Sequence, residues 1–262
     1  MSSPLTISFI GSGNLAWHLA PALDNMGYVV KEVYSKNPQH AEALTERLYQ
    51  ADVKATLDFS TSGSKVFFIC VSDDAIADVA REIILPDDAI VVHTSGSQSI
   101  TQLQYVATNH IGVFYPLQTF TKSKKIEFKT IPIFIECYTE AETTLMEIAQ
   151  SISNEVRKIG SEERKALHLS AVFASNFANH MLTIAKRIME QNSLDYNWLK
   201  PLIAETINKS LTIGPEQAQT GPALRGDLEV LDSHLAFLAE HEQEAIIYKA
   251  ISQHIIDLYQ PD

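Results

Sequence analysis

The chain has 262 residues, of which 45% are hydrophobic and 20% are charged, a composition typical of globular proteins. Its formal net charge of −12 repels nucleic-acid phosphates, no apolar window approaches the roughly 18 residues of a membrane span, and no signal-peptide pattern is present. Cys70 and Cys137 both lie in apolar runs, which is typical of buried thiols in a reducing compartment. From these features together we expect a cytoplasmic protein that acts on a small molecule and binds neither nucleic acid nor membrane.

The first part of the chain alternates between short apolar runs and amphipathic stretches. The apolar runs predict six strands, at Thr6–Ile10, Val29–Tyr34, Val66–Val71, Ala89–His93, Ile111–Tyr115 and Ile131–Ile135. The amphipathic stretches predict helices at Leu15–Asn25, Gln39–Tyr49 and Asp74–Ile84. Apolar strands without polar alternation are typical of a parallel sheet that is covered on both faces. The alternation with helices therefore predicts an α/β fold, a doubly wound Rossmann domain.

After about Gly160 the strand patterns nearly disappear. Ser161, followed by two glutamates, predicts a capped helix start. A long helix should follow to about Gln191, with further helices at Tyr196–Leu211, Leu228–Ala239 and Glu242–Leu258. We therefore expect the Rossmann domain to span residues 1–157 and an all-α C-terminal domain to span residues 158–262.

A glycine-rich turn joins the first predicted strand to the first helix. Its sequence is Gly11-Ser12-Gly13-Asn14-Leu15-Ala16. Gly11 would make the tight turn, Gly13 would let a pyrophosphate approach the backbone, and Ala16 would let the helix pack closely on the strand. We predict that the turn from Gly11 to Leu15 binds a dinucleotide. A βα turn that binds no ligand is the alternative.

The tip of the second strand indicates which dinucleotide binds. An NAD enzyme usually places an acidic residue there to hold the ribose hydroxyls. Ser35, Lys36 and Asn37 instead offer a hydroxyl, an ammonium and an amide to a 2′-phosphate, which favours NADP(H). Glu32 also fits the spacing of the acidic residue. However, the strand should continue for three residues after Glu32, which would leave Glu32 before the tip of the strand. The alternative for Lys36 is a solvated turn lysine.

Two further loops follow strands at the same edge of the predicted sheet. Val71 and Ser72 follow the third strand, and Thr94, Ser95 and Gly96 follow the fourth. Ligands bind outside the carboxyl ends of parallel strands, so we predict that Val71, Ser72 and Thr94 border the cofactor. The hydroxyls and free amides of the second loop, at Ser95 and Gly96, would hold a substrate carboxylate near the nicotinamide. Serine and glycine are also ordinary turn formers.

Several motifs carry a family resemblance. Phe9–Ala16 resembles the opening of pyrroline-5-carboxylate reductases and other members of the 6-phosphogluconate dehydrogenase-like superfamily. Four further motifs resemble NADP oxidoreductases that have a Rossmann-like domain and a C-terminal helical domain of unknown function: His93–Gly96, Tyr115–Phe120, His168–Asn176 and Thr220–Asp227. This resemblance implies NADP(H) as cofactor and a homodimer. The family pattern has histidine where this chain has Tyr115, so Tyr115 is given only a supporting role.

The long predicted helix carries a polar stripe. At about 100° per residue, one sector of roughly 100° contains Lys165, His168, Ser175, Asn176 and Asn179. Buried polar groups need partners, so such a stripe indicates a wet or ligand-lined groove. We hypothesise that His168 or Lys165 donates the proton that accompanies hydride transfer, and that Asn176 and Ser95 orient the substrate. Alternatively, His168 is a satisfied interface histidine and Lys165 a surface charge.

The remaining candidate is Arg225, which either binds a substrate carboxylate or pairs with Asp227. The histidines lack companions at ligand spacing, and we predict no metal. The expected function is an NADP(H)-dependent oxidoreductase that transfers hydride to or from a small carbonyl, imine or hydroxy acid bound between the domains. The alternatives are a non-catalytic NADP(H)-binding sensor or subunit, and an NADP(H):flavin or deazaflavin oxidoreductase.

Overall fold

The computed structural model describes residues 4–259. Its sheet has eight strands in the order β3-β2-β1-β4-β5-β6-β7-β8. Their bounds are β1 (Thr6–Ile10), β2 (Val29–Tyr34), β3 (Asp52–Lys54), β4 (Val66–Ile69), β5 (Ile90–His93), β6 (Ile111–Pro116), β7 (Ile133–Cys137) and β8 (Val156–Lys158). Strands β1 to β6 pair in parallel, which confirms the predicted Rossmann-like fold. The strand order reverses between β1 and β4, where such sheets open a crevice for ligands.

The sheet differs from the prediction at its two edges. Strands β3 and β8 were not predicted, because each has three residues and carries mostly polar, exposed side chains. Strand β7 pairs antiparallel with β6 and parallel with β8. It begins at Ile133 and not at Ile131, because a 3₁₀ turn over Phe128–Thr130 precedes it.

Apolar side chains on both faces explain why the central strands lack polar alternation. Consecutive residues of a strand point to opposite faces. Phe68 of β4 stacks on Phe9 of β1 with ring centroids 5.2 Å apart, while Phe67 lies edge-on to Phe59 at 5.4 Å in a separate cluster. The helices that accompany the sheet are α1 (Asn14–Asn25), α2 (Pro38–Thr45), α3 (Ile76–Glu82) and α4 (Ala141–Ile152).

The long predicted helix is interrupted. Its parts are α5 (Ser161–Ala171), a π-helical segment over Val172–Phe177 and α6 (Ala178–Gln191). The predicted cap at Ser161 is wrong: Gly160 holds the N-cap position, and the Glu163 carboxylate accepts its N–H at 2.9 Å. The Ser161 hydroxyl donates instead to Glu136. The remaining helices are α7 (Lys200–Ile213), α8 (Pro215–Ala218), α9 (Pro222–Arg225), α10 (Leu228–Phe237) and α11 (Glu242–Tyr259).

The chain forms two compact units, which divide between Asn176 and Phe177. We call them the sheet unit and the helical unit. The predicted domain boundary, between residues 157 and 158, marks where strand patterns end and stays a prediction. Helix α5 belongs to the sheet unit. Over residues 4–259, no helix combines the length and the apolar character that a membrane crossing requires.

Candidate functional site

The glycine turn has a backbone that only glycine adopts without strain at its first position. Gly11 has φ +105°, and a Cβ there would overlap the carbonyl oxygen of Cys70. The Gly11 N–H donates to the Tyr34 carbonyl at 2.7 Å, which fixes the turn against β2. Around Gly13 the nearest atom to an added Cβ is 3.8 Å away, so the backbone there is open to a ligand.

A cleft of about 740 Å³ surrounds this turn, and we call it the glycine-turn cleft. Its lining comes from the turn, the tip of β2, the loop after β4, helix α3, and one residue each of helix α2, the β3–β4 connection and the β6–β7 connection. The lining residues are Gly11, Ser12, Gly13, Asn14, Tyr34, Ser35, Lys36, His40, Leu57, Cys70, Val71, Ser72, Ala75, Asp78, Val79, Glu82 and Lys122. The cleft therefore lies at the carboxyl ends of β1, β2 and β4, the crevice that the strand order predicts.

Of the three residues predicted at the tip of β2 to bind the 2′-phosphate, two line the cleft. Ser35 accepts a hydrogen bond from the Ser12 hydroxyl at 2.9 Å, and exposed Lys36 lines the cleft. Asn37 is not in the lining: its side chain caps α2 by accepting the Gln39 N–H at 3.0 Å.

Glu32 lies within β2 and is already partnered. Its carboxylate accepts the Ser8 hydroxyl at 3.0 Å and the Ser62 hydroxyl, and it lies 3.7 Å from the Lys54 ammonium. Strand β2 continues past it to Tyr34. Glu32 is not one of the described residues that line the glycine-turn cleft.

Of the four other predicted cofactor residues, two line the cleft. Val71 and Ser72 line the cleft, whereas Leu15 packs against the apolar core. Thr94 lies outside the lining and hydrogen-bonds the Cys70 thiol. Burial raises the pKa of Cys70 to about 12, so this lining thiol stays protonated and unreactive at neutral pH.

The loop after β5 is organised around the buried His93. The Ser95 N–H donates to His93 Nδ1 at 3.2 Å, and His93 Nε2 lies 3.3 Å from the Ser99 carbonyl oxygen. Burial, assisted by the nearby Arg164 charge, lowers the pKa of His93 to about 4, so the ring is neutral and Nε2–H donates to Ser99. The Ser95 hydroxyl accepts the N–H groups of Ser97 and Gln98 at 3.2 and 3.0 Å. This hydroxyl therefore serves the loop itself.

A buried ion pair fixes α5 to this loop and to β7. Arg164 and Glu136 are both fully buried, and the Arg164 Nε donates to Glu136 Oε2 at 2.8 Å. Nη1 of Arg164 donates to the carbonyl oxygens of Ser95 and Gly96 at 3.0 and 2.9 Å. Sequence reasoning missed this pair. The available signal was Glu136, a carboxylate inside an apolar strand, because a buried charge requires a partner.

A second cavity of the sheet unit contains a tyrosine–histidine pair, and we call it the tyrosine pocket. The Tyr115 hydroxyl lies 3.1 Å from His168 Nδ1. The pocket measures about 330 Å³ and is lined by Tyr115, Leu117, Gln118, Thr119, His168, Ala171, Val172, Ala174, Ser175 and Asn176. A Cβ on Gly96 would overlap both rings, so the loop after β5 forms close backing for the pair. Burial raises the pKa of Tyr115, which keeps the phenol protonated at neutral pH.

The predicted polar stripe is only partly gathered in this pocket. His168, Ser175 and Asn176 line it, although the π-helical segment rotates the last two away from ideal α-helical positions. Lys165 has 47% of its side chain exposed and pairs with Glu162 at 2.8 Å. Asn179 belongs to the helical unit.

Arg225 also belongs to the helical unit, where it ends α9 and lies 3.9 Å from Asp227.

The residues that sequence reasoning undervalued are Tyr115, Gln118 and Thr119. Their signal was the motif Tyr115–Phe120 itself. Over residues 4–259, no three His, Cys, Asp or Glu side chains come together in a way that could hold a metal ion.

Comparison with known proteins gives two family matches. Residues 6–96 match the family described as NADP oxidoreductase coenzyme F420-dependent, and residues 131–255 match a domain of unknown function (DUF2520). The first match contains the glycine turn and the loop after β5 as far as Gly96, and the second contains helix α5 with His168. No curated protein sequence matches the chain significantly.

Solved structures match nearly the whole chain. A Bacteroides fragilis protein provisionally assigned as an NADP oxidoreductase is 37% identical, with a TM-score of 0.87, covering 97% of this chain and 98% of that one. A Thermotoga maritima protein is 24% identical, with a TM-score of 0.72 over 97% and 98% of the two chains. A reductive aminase from Aspergillus terreus, solved with NADPH and ethyl-5-oxohexanoate, is 14% identical, with a TM-score of 0.71 over 97% and 94%. The last two matches establish a shared fold.

Proposed function

Because this chain belongs to the family of NADP oxidoreductases that join a Rossmann-like domain to a C-terminal domain of unknown function, we propose that it is an NADP(H)-dependent oxidoreductase of a small carbonyl, imine or hydroxy acid. The observation that carries the proposal is the Tyr115–His168 hydrogen bond inside the tyrosine pocket. A proton-transfer pair is what a hydride-transfer reaction requires from the protein, since the cofactor supplies or accepts the hydride when it is bound.

The residues of the glycine-turn cleft fit a dinucleotide phosphate. A Cβ at Gly11 would overlap the Cys70 carbonyl oxygen, and Gly13, with open space around it, is the N-cap residue of α1. Ser35 and Lys36 offer a hydroxyl and an ammonium to a 2′-phosphate, while Glu32 is occupied by Ser8, Ser62 and Lys54. This arrangement favours NADP(H) over NAD(H).

His168 is the proposed proton donor. The raised pKa of Tyr115 keeps its phenol protonated, and imidazole is the side chain that most readily exchanges a proton near neutral pH. In the imidazolium form, Nδ1–H donates to the Tyr115 oxygen, which leaves Nε2–H for the substrate. Tyr115 thus orients the ring, as the second partner in a catalytic pair commonly does. Lys165 is less suited, because it pairs with Glu162 at the surface.

The lining of the tyrosine pocket supports a small and uncharged polar substrate group. Apart from the Tyr115–His168 pair, its polar side chains are Gln118, Thr119, Ser175 and Asn176. Among the described hydrogen bonds, none involves the side chain of Ser175 or Asn176, so both can orient a ligand. Since no lysine, arginine or carboxylate occurs in the described lining, a neutral carbonyl or imine fits better than a hydroxy acid.

The proposal is tested in two steps on the purified full chain. Calorimetric titration should give tight NADPH and weak NADH binding. NADPH consumption is then followed with a panel of small aldehydes and ketones, each alone and with an amine that forms the imine. For an accepted substrate, His168→Gln should lower kcat at least about a hundredfold with cofactor affinity unchanged. Lys165→Gln is the matched control and should keep its activity.

Other results would replace the proposal. Full activity of His168→Gln would remove the assigned donor. Tight NADPH binding with no turnover of any panel member would favour a non-catalytic sensor. The description of the family matched by residues 6–96 names coenzyme F420, a deazaflavin, as a second candidate partner. Adding deazaflavin and flavin acceptors to the same assay tests that candidate directly.

A further inference from the structure

The walls of the glycine-turn cleft carry few fixed positive charges for a site that would hold an anionic dinucleotide. Its lining includes two lysines, Lys36 and Lys122, and two carboxylates, Asp78 and Glu82, together with His40. The whole chain has a formal net charge of −12, so its far field repels anions. Lys36 by itself cannot offset the two carboxylates. A second ammonium in the cleft therefore has a specific electrostatic consequence.

Lys122 comes from an unexpected part of the chain, the connection between β6 and β7. This connection is anchored to helix α1, because His18 Nε2–H donates to the Thr121 carbonyl at 2.8 Å. The neighbouring Phe120 packs on Phe128 with ring centroids 6.0 Å apart, and on His18 at 6.1 Å. The residues on the N-terminal side of Lys122 are thereby fixed beside the helix that begins at the glycine turn.

The ammonium of Lys122 is also held directly. Its Nζ lies 4.8 Å from the ring centroid of Trp17, a distance typical of a cation–π contact. Trp17 lies in the first turn of α1, where its N–H donates to the Gly13 carbonyl at 3.0 Å. The Arg47 guanidinium contacts the same ring at 4.1 Å. Lys122 is therefore kept close to the phosphate-binding end of α1, with its side chain exposed to the cleft.

We propose that Lys122 binds a phosphate group of the dinucleotide. It would be a cofactor ligand from the β6–β7 connection, in addition to the residues of the loops that follow β1, β2 and β4. The inference rests on the proposed cofactor function. Lysine suits this task because its ammonium offers three donors as a mobile point charge. The ligand group is either the pyrophosphate or the 2′-phosphate, which share this chemistry.

The test measures cofactor affinity and not turnover. Isothermal titration of wild type and Lys122→Gln with NADPH and with NADH, at one ionic strength, should show NADPH affinity reduced about tenfold, or about 1.4 kcal/mol. An equal loss for NADH identifies the pyrophosphate as the group bound, and a loss confined to NADPH identifies the 2′-phosphate. Lys124→Gln is the matched control, since Lys124 is exposed on the same connection and is not in the cleft lining.

Two further results separate charge from packing. Lys122→Arg keeps the cation and the contact with Trp17, so it should retain affinity within about threefold, on the scale of one weak contact. Wild-type affinity in Lys122→Gln for both dinucleotides would overturn the inference and leave the proposed function standing. Failure of the wild type to bind NADPH would overturn both. Because Lys122 is exposed, the Gln variant should melt like the wild type, which confirms that it is folded.

Discussion

The two units of the chain differ in how much of their apolar side-chain surface is buried. In the sheet unit, whole strands such as β4 and β5 are fully buried, and apolar clusters cover both faces of the sheet. In the helical unit, the described residues include only three buried apolar side chains, Ala223, Leu231 and Leu238. Its exposed large apolar side chains are Phe177, Leu194, Trp198, Leu202, Ile207, Leu211, Ile213, Leu228, Phe237, Ile246, Ile251 and Leu258.

This difference indicates that the two units reach stability by different routes. A fold of this small size needs a substantial buried core or an external partner. Exposed apolar faces of such extent are typical of surfaces that another molecule covers. We propose that a second copy of the chain covers the helical unit in a two-fold homodimer, the commonest assembly of soluble proteins. The sheet unit should then be stable by itself and the helical unit should depend on protein concentration.

The largest expected effect concerns the buried ion pair of the sheet unit. Arg164→Met leaves the Glu136 carboxylate buried without its partner, and we expect the free energy of unfolding of the sheet unit to fall by about 3–5 kcal/mol. Trp17 lies in the sheet unit and Trp198 in the helical unit. Denaturant unfolding followed by fluorescence in a Trp198→Phe background therefore reports the sheet unit.

The control for this substitution removes both charges. In Arg164→Met with Glu136→Leu, no unpaired charge remains and part of the lost stability should return. A loss below about 1 kcal/mol in the single variant would mean that water or another group replaces Arg164. It would then weaken the view that the sheet unit depends on specific internal contacts.

The second effect concerns the apolar surface of the helical unit. Leu211 on α7 is 82% exposed, and a glutamate there would place a charge on the proposed dimer surface twice per dimer. We expect Leu211→Glu with Leu202→Glu to raise the dimer dissociation constant at least about a hundredfold, or roughly 2.8 kcal/mol. Size-exclusion chromatography with light scattering measures it. The control is Met26→Glu, an exposed apolar residue of the sheet unit, and a wild-type monomer would contradict the proposal.

The contrast between the units also explains how far the sequence predicts the structure. Strands β1 and β2 have the predicted bounds, because both are rich in β-branched and aromatic residues, which favour strands. Strands β3 and β8 escaped prediction because they are short and polar. The antiparallel direction of β7 depends on tertiary packing, which local patterns do not encode.

The candidate site divides in a similar way. The glycine turn is recognisable locally, since its glycines lie within one short segment, although the atom that a Cβ at Gly11 would overlap belongs to the distant Cys70. The pairing of Tyr115 with His168 joins residues far apart in sequence, and the π-helical segment changes the faces of the residues that follow it. Arg164, placed among charged neighbours at a helix start, has the pattern of a surface residue, and only the carboxylate of Glu136 inside β7 indicates its burial.

The smallest of these three effects is a pH dependence that arises in the sheet unit. His93 has a folded-state pKa of about 4, below the ordinary value of 6.5, because burial disfavours the imidazolium. Between these values the unfolded chain binds more protons than the folded one, so the contribution of His93 is fully present above pH 6.5 and is lost as the pH falls toward 4. At pH 5 the loss should be about 2 kcal/mol.

The variant His93→Gln can keep the hydrogen bonds to Ser95 and Ser99 without titrating. The stability of its sheet unit, followed through Trp17, should therefore change less between pH 7 and pH 5 than that of wild type. Equal pH dependence in the two proteins would place the acid-sensitive group elsewhere in the sheet unit.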